Sequence, residues 1–277
     1  MYHALPMHAP PRPPIPVETL LLAYRSGIFP MADRREDTEV FWVEPRERAI
    51  LPLDGLHVSR SLRKVVRADR FTVTIDRAFE AVIRACAEPR PDHPETWISE
   101  RIVQSYLALH RAGHAHSLEC WQADAAGAPR LVGGLYGVTF DRVFCGESMF
   151  SRVADASKVA LTWLVALLRE AGLHAARLPV HDRASALDGR ARIAAGRISR
   201  PARGGRRPAA HQPGDRLAPL CRGLCPWAGR GGRGGAQAQG AGVGVAAGRA
   251  VAAGEGDGAA GPSSPGKRIM QSLTQTS

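Results

Sequence analysis

The chain has 277 residues and a formal net charge of +11, long enough for one large domain or two small ones with a real core. Such an excess ordinarily points to nucleic acid or a membrane surface. However, residues 1–173 carry 21 basic and 21 acidic side chains, and the other 16 basic and 5 acidic ones lie in 174–277. The whole excess therefore belongs to the C-terminal third, and no run of about 18 apolar residues marks a membrane span. The start, MYHALPMHAPPRPPIP, is Pro-rich and lacks the apolar stretch of a signal peptide. The expectation is a cytoplasmic protein with reduced cysteines.

In chain order, residues 1–16 read as a mobile, partly polyproline-like leader. Glu18–Ser26 fits a short amphipathic helix stopped by Gly27 and the Phe29-Pro30 break. Phe41–Leu53 alternates apolar and charged residues around two prolines, as strands interrupted by turns do. Ser59–Arg67 is a short basic helix, Phe71–Ile75 an alternating strand, and Asp76–Cys86 a helix for which Asp76 is the expected N-cap. After the proline-rich loop 88–95, Ser99 caps a helix through His110, with Glu100 favourable to its dipole. Gly113 ends it and Ala115–Gln122 follows as a strand. Leu131–Phe140, with glycines at 133, 134 and 137, reads as a buried strand that another backbone or a ligand approaches closely. Asp141-Arg142 turns the chain into Val143-Phe144-Cys145, and Gly146-Glu147-Ser148 places a carboxylate in a loop beside a flexible glycine. From Asp155 a helix presents apolar residues at 159, 161, 164, 165, 167 and 168.

Alternating strands and helices over 56–173 predict a mixed α/β domain behind a small N-terminal domain at 17–55, an α+β chain as a whole. After Leu173 the composition changes: 20 of the 29 glycines lie in 174–277, with Trp227 as the only aromatic residue there. Such a stretch cannot bury enough apolar area to offset the entropy of ordering it, so a low-complexity, disordered tail is expected. Cys221 and Cys225 lie in that tail without a second ligand pair. His114, His116 and Cys120 match no familiar zinc spacing and are read as a turn entering a strand, so no metal is expected.

The strings LLAYRSGIFPM (21–31), FWVEPRERAILPL (41–53), LHVSRSLRK (56–64), TWIS (96–99), GHAHSLECW (113–121), GG-x-YG, FCGESMFSR and ASK-x-AL stand in order. Together they resemble the leucyl/phenylalanyl-tRNA–protein transferases over about residues 18–173. The resemblance implies a GNAT-like, acyl-CoA N-acyltransferase-like domain. It also implies transfer of Leu or Phe from aminoacyl-tRNA to the α-amine of proteins beginning with Arg or Lys, which tags them for degradation under the N-end rule. It implies no cofactor, leucyl-tRNA, phenylalanyl-tRNA and acceptor proteins as partners, and a monomer.

Carried over residue by residue, Glu147 of GES positions the substrate amine or the ester end; read alone it is a carboxylate in a turn. Leu135, Phe144, Leu161 and Leu164 match the aminoacyl side-chain pocket, although read blind they are ordinary core. Trp97, Tyr106 and Tyr24 match aromatic residues near the terminal adenosine, where a base can stack. Met31 stands where some members carry Trp. Arg60, Arg63, Lys64 and Arg67 form a basic cluster suited to acceptor-stem phosphates, or simply a solvated helix face.

The family's D-C-Q motif is missing, and Arg177 and Leu178 stand where its Asp belongs. With suitable codons, residues 174–185 read one nucleotide later give T-L-L-D-C-Q-F-M-T-E-H, and 192–200 give G-L-P-R-A-A-Y-L. Both are in family order, so the tail reads as out-of-frame translation that leaves the transferase domain incomplete and its activity impaired. Two alternative readings remain: an RNA-binding protein using the Arg/Gly-rich tail, and an acyl-CoA N-acetyltransferase. The second lacks a glycine-rich pyrophosphate loop at Ser151–Ala156.

Overall fold

In the computed structural model, residues 12–45, 49–89, 94–173, 175–178 and 264–274 are described. They form a small antiparallel pair and a larger mixed sheet with helices on both faces. Helix α1 (Val17–Ser26) precedes β1 (Phe29–Met31), which pairs with β2 (Phe41–Val43). β3 (Ala49–Pro52), α2 (Arg60–Arg67), β4 (Thr72–Ile75), α3 (Phe79–Cys86) and α4 (Glu100–Arg111) follow. Then come the three long strands β5 (Ala115–Ala123), β6 (Pro129–Phe140) and β7 (Val143–Ser151), helix α5 (Ala156–Glu170), β8 (Ala175–Leu178) and a final helix α6 (Pro265–Ser272). The six-stranded sheet has the order β3-β8-β7-β6-β5-β4, antiparallel except where α5 carries the chain from β7 to the parallel β8.

The two faces of this sheet carry separate cores. On one face α5, α2 and α6 bury Leu118, Cys120, Leu135 and Phe144; on the other α1, α3 and α4 bury Tyr136, Val138, Cys145 and Phe150. Consecutive strand residues point to opposite faces, so each long strand supplies both cores and reads as a nearly continuous apolar run. Gly133 is a point of close approach: a Cβ there would lie 2.5 Å from the Cβ of Ala156 on α5. This is the contact that the glycine-rich pattern of β6 anticipated.

Several local expectations are corrected. Asp76 is not a helix cap; α3 starts at Phe79, and the Asp76 carboxylate instead accepts from Ser117 N–H (2.9 Å) and His116 Nδ1 (2.7 Å). Ser99 holds the N-cap position of α4, but its hydroxyl makes no capping bond. Gly146-Glu147-Ser148 is not a loop, because β7 runs unbroken from Val143 to Ser151. Within the Pro-rich leader, Ile15 is buried and donates its N–H to Ser105 Oγ at 2.9 Å. The expected structureless tail is corrected at two places. β8 adds to the sheet, and α6 buries Ile269 and Met270 in the α5-side core, with Gly266 N–H donating to Asp69 at 2.7 Å. Cys221, Cys225 and Trp227 lie outside the described residues.

Candidate active site

The β6–β7 hairpin builds the candidate site. Asp141 and Arg142 both take positive φ (43° and 66°), the geometry of a tight turn whose twist suits a hairpin. Further along, Tyr136 pairs with Ser148 but Gly137 pairs with Gly146, so Glu147 is the extra residue of a β-bulge. Bulges interrupt the alternation of a strand and re-aim a side chain. Here Glu147 keeps the face of Cys145, toward α4, where the Tyr106 hydroxyl donates to its Oε2 at 3.2 Å, and the residues after it change phase.

Glu147 is buried, as are Tyr106 and Tyr24, whose hydroxyls also hydrogen-bond to each other. The single Tyr106 proton goes to Glu147, so Tyr24 is the donor to Tyr106 and the three residues form a relay. Burial first, and the nearby Glu147 charge second, hold both phenols well above their ordinary value of 10.0, which keeps them protonated donors. Tyr136 stands edge-on to Tyr106 at 5.6 Å, and its buried hydroxyl finds no partner among the described residues.

The other expected residues fall into separate places. Leu135, Phe144, Leu161 and Leu164 meet in the core between the sheet and α5, all buried, on the face opposite Tyr24 and Tyr106. Gly137 makes room there: a Cβ would lie 2.4 Å from Phe144 Cζ and 2.3 Å from the Cys145 carbonyl. Trp97 is half-buried at the edge of the tyrosine-side core, and its carbonyl accepts Ala32 N–H at 3.2 Å. Tyr24 and Tyr106, expected near an adenosine, have buried rings, with the Tyr106 hydroxyl bonded to Glu147 and the Tyr24 hydroxyl bonded to Tyr106.

On α2, Leu62, Val65 and Val66 face the core, whereas Arg60, Lys64 and Arg67 are exposed. Arg63 is half-buried and donates to the Val58 carbonyl at 3.5 Å. In β8 the backbone of Arg177 stands beside Cys145 of β7 and opposite Ile50 of β3.

Sequence reasoning missed the polar cluster at the β4–β5 edge. Glu119 is buried, and accepts from Thr74 Oγ1, Ser117 Oγ and Ala78 N–H. Burial pushes its pKa up against those three bonds. Beside it the Asp76–His116 pair is closed by the 2.7 Å bond. The available signal was parity: His116 shares its strand face with Leu118 and Cys120. Cys120 donates its thiol to the Ala156 carbonyl at 3.2 Å, and burial pushes that thiol's pKa up, away from the range of a nucleophile. Among the described residues no group of three His, Cys, Asp or Glu side chains is placed to hold a metal ion.

The family model described as leucyl/phenylalanyl-tRNA protein transferase matches residues 50–191, and the model of that family's N-terminal domain matches 14–46. The leucyl/phenylalanyl-tRNA–protein transferase of Novosphingobium aromaticivorans is 67% identical over 158 residues, 57% of this chain and 58% of that protein. That of Zymomonas mobilis is 60% identical over 150 residues, 54% of each. The chain thus matches between half and three-fifths of the length of these relatives. A solved structure described as that of L-PGS from Bacillus licheniformis superposes with a TM-score of 0.34 at 14% identity, covering 58% of this chain and 49% of that one. That score is below the level of a shared fold.

Proposed function

Because the chain belongs to the leucyl/phenylalanyl-tRNA protein transferase family, we propose that its fold serves transfer of Leu or Phe from an aminoacyl-tRNA ester to the α-amine of a protein beginning with Arg or Lys. The observation that carries this reading is the bulge: it holds one buried carboxylate, Glu147, on a strand whose Phe144 lines an apolar layer. In the reaction the amine nitrogen attacks the ester carbonyl carbon. A C–N bond forms, the C–O bond to the ribose breaks, and the amine proton ends on the departing ribose oxygen. Catalysis then consists of placing the amine and the ester, and of stabilising charge.

Glu147 is an acceptor for a substrate N–H, and Tyr106, backed by Tyr24, fixes its orientation. Phe144, Leu135, Leu161 and Leu164 take the apolar aminoacyl side chain, which matches Leu and Phe in chemistry. Trp97, half-buried, is the aromatic ring left for the terminal adenosine. Arg60, Lys64 and Arg67, exposed along one side of α2, meet acceptor-stem phosphates. The sheet with its β7–α5–β8 crossover supports the acyltransferase-like reading of 56–173, behind an N-terminal unit that begins near residue 17. No helix among the described residues is long and apolar enough to cross a membrane; a monomer acting in the cytoplasm fits the substrates.

This chain carries Arg177 and Leu178 where the family's D-C-Q begins, so it binds the aminoacyl end but transfers slowly. The test compares this chain with one in which residues 174–200 are replaced by the one-base-shifted reading. Phenylalanyl-tRNA is the donor and a peptide beginning with Arg the acceptor. The repaired chain should transfer at least about a hundredfold faster, the scale on which preorganised polar groups act, and Glu147→Gln should remove most of that gain. Equal rates in the two chains would refute the loss-of-motif reading. Absence of transfer by the repaired chain, together with absence of binding to a phenylalanyl-adenosine amide, would refute the transferase reading itself.

A further inference from the structure

His116 lies on β5 with 5% of its surface exposed, and its Nδ1 is 2.7 Å from Asp76 Oδ2. A carboxylate only accepts, so the proton of that bond sits on Nδ1; in the neutral ring Nε2 is then a bare acceptor. Asp76 is itself fixed by Ser117: its Oδ1 accepts Ser117 N–H at 2.9 Å, and its own N–H donates to the Ser117 carbonyl at 3.1 Å. The His116 ring is therefore anchored at one edge. The other edge, Nε2, is buried and finds no hydrogen-bond partner among the described residues. A buried acceptor left without a donor costs about 1–3 kcal/mol.

The place of this ring gives the acceptor a use. His116, Leu118 and Cys120 alternate onto the face covered by α5, where Leu118 and Cys120 join Phe144, Leu135, Leu161 and Leu164 in one core. Across the sheet His116 pairs with Gly137, which pairs with Gly146. Two residues without side chains thus follow His116 in a row across three strands, and the Phe144 ring leans over the first of them. Gly146 is half-exposed and directly precedes Glu147 on the bulge. A polar atom entering beside Phe144 along this row would meet the Nε2 acceptor.

We propose that His116 Nε2, held as an acceptor by Asp76, receives a hydrogen bond from an N–H or O–H at the polar end of an aminoacyl-nucleoside ligand whose apolar side chain lies beside Phe144. The inference rests on the transferase reading above. His116 contacts the ligand in this role, and Asp76 is a positioning residue that acts through it. The donor is either the α-amine of the aminoacyl group or the ribose 2′-hydroxyl, which share this chemistry.

The test uses the full chain with 15N-labelled histidine and a non-hydrolysable phenylalanyl-adenosine amide, together with its desamino (3-phenylpropionyl) and 2′-deoxy forms. Binding is followed by calorimetry, and the Nε2 and Nδ1 resonances of His116 by long-range 1H–15N spectra. The expected result is a displaced Nε2 resonance on binding, with Nδ1 nearly unmoved. That displacement should be lost in the desamino form if the amine is the donor, or in the 2′-deoxy form if the hydroxyl is. His116→Gln should weaken binding of the amide about tenfold, the scale of one hydrogen bond. If that variant fails to fold, the spectra of the unsubstituted chain decide. Binding with Nε2 unmoved, or a displacement that survives in both analogues, overturns the proposal. Absence of binding of any of the three compounds overturns the transferase reading, and this inference with it.

Discussion

Replacing Tyr106 with Phe removes a single oxygen that serves two bonds, donating to Glu147 Oε2 at 3.2 Å and accepting the Tyr24 hydroxyl. The first is a hydrogen bond to a carboxylate, which contributes about 1.5–3 kcal/mol. Losing the second leaves Tyr24, 1% exposed, with its hydroxyl facing the space where its acceptor stood. An orphaned buried hydroxyl costs about 1–3 kcal/mol. The two terms share one atom and relax together, so Tyr106→Phe should destabilise the chain by about 3 kcal/mol. Tyr24→Phe removes only the outer bond and should cost about 1 kcal/mol. The double variant no longer orphans Tyr24, so it should cost roughly 1–2 kcal/mol less than the sum of the singles, a coupling expected for residues in contact. Urea unfolding followed by tryptophan fluorescence measures all three, and the midpoint should move with the slope unchanged. A loss under about 0.5 kcal/mol for Tyr106→Phe, or strict additivity in the double variant, would refute the relay.

Two further outcomes follow from buried positions. Gly137→Ala places a Cβ at 2.3 Å from the Cys145 carbonyl and 2.4 Å from Phe144 Cζ. β6 and β7 cannot part without breaking their ladder, so the loss should reach about 3 kcal/mol or more, read as a lowered urea midpoint or loss of soluble protein. Glu119→Gln tests the buried carboxyl, whose pKa burial raises above its ordinary value of 4.5. A raised folded value means that the stabilising contribution is complete below pH 4.5 and fades as pH rises through the folded value. The stability of the unsubstituted chain relative to Glu119→Gln should therefore fall on going from pH 4.5 upward, and a difference independent of pH would count against a raised pKa at this site.

The parts of the fold that were legible in the sequence are those in which a local pattern and the tertiary environment agree. Helix α5 carries apolar residues over several turns, and both the sheet and the α2–α6 layer bury them, so periodicity alone marks it. The glycines of β6 announced a close approach, and Ala156 makes it. What was not legible depends on partners distant in sequence. Asp76 has the composition of a cap, but its carboxylate is taken by Ser117 and His116, 40 residues on. Gly-Glu-Ser has the composition of a loop, and only pairing with β6 keeps it in a strand. α6 is eight residues long with two buried apolar side chains, too short for a period to stand out from its surroundings. The family resemblance names Glu147, Phe144, Tyr24 and Tyr106, but the bonds between the two phenols and Glu147 were not legible, because composition shows an aromatic ring and not what its hydroxyl is bonded to.

Alternation lets a single strand serve two surfaces, and the bulge in β7 resets its phase. In a regular β7, Gly146 and Ser148 would share a face and Glu147 would take the other, as alternation requires. With Gly146 opposite Gly137 and Ser148 opposite Tyr136, the partner strand advances by one residue while β7 advances by two. Phe144 and Glu147, three residues apart, take opposite faces by alternation, one in the α5-side core and the other at the hydroxyl of Tyr106. The extra residue resets the phase after them, so that Met149 packs on the α5 side and Phe150 on the other. The glycines at 137 and 146 accompany this step, since any side chain at 137 would fill the space taken by Phe144. Without the extra residue, Phe150 would turn to the α5 side and Met149 away from it. Pairing of β6 with β7 is thus what joins an apolar layer and a carboxylate into one candidate site. The restrictions at Gly137, Tyr106 and Glu147 are parts of the same requirement.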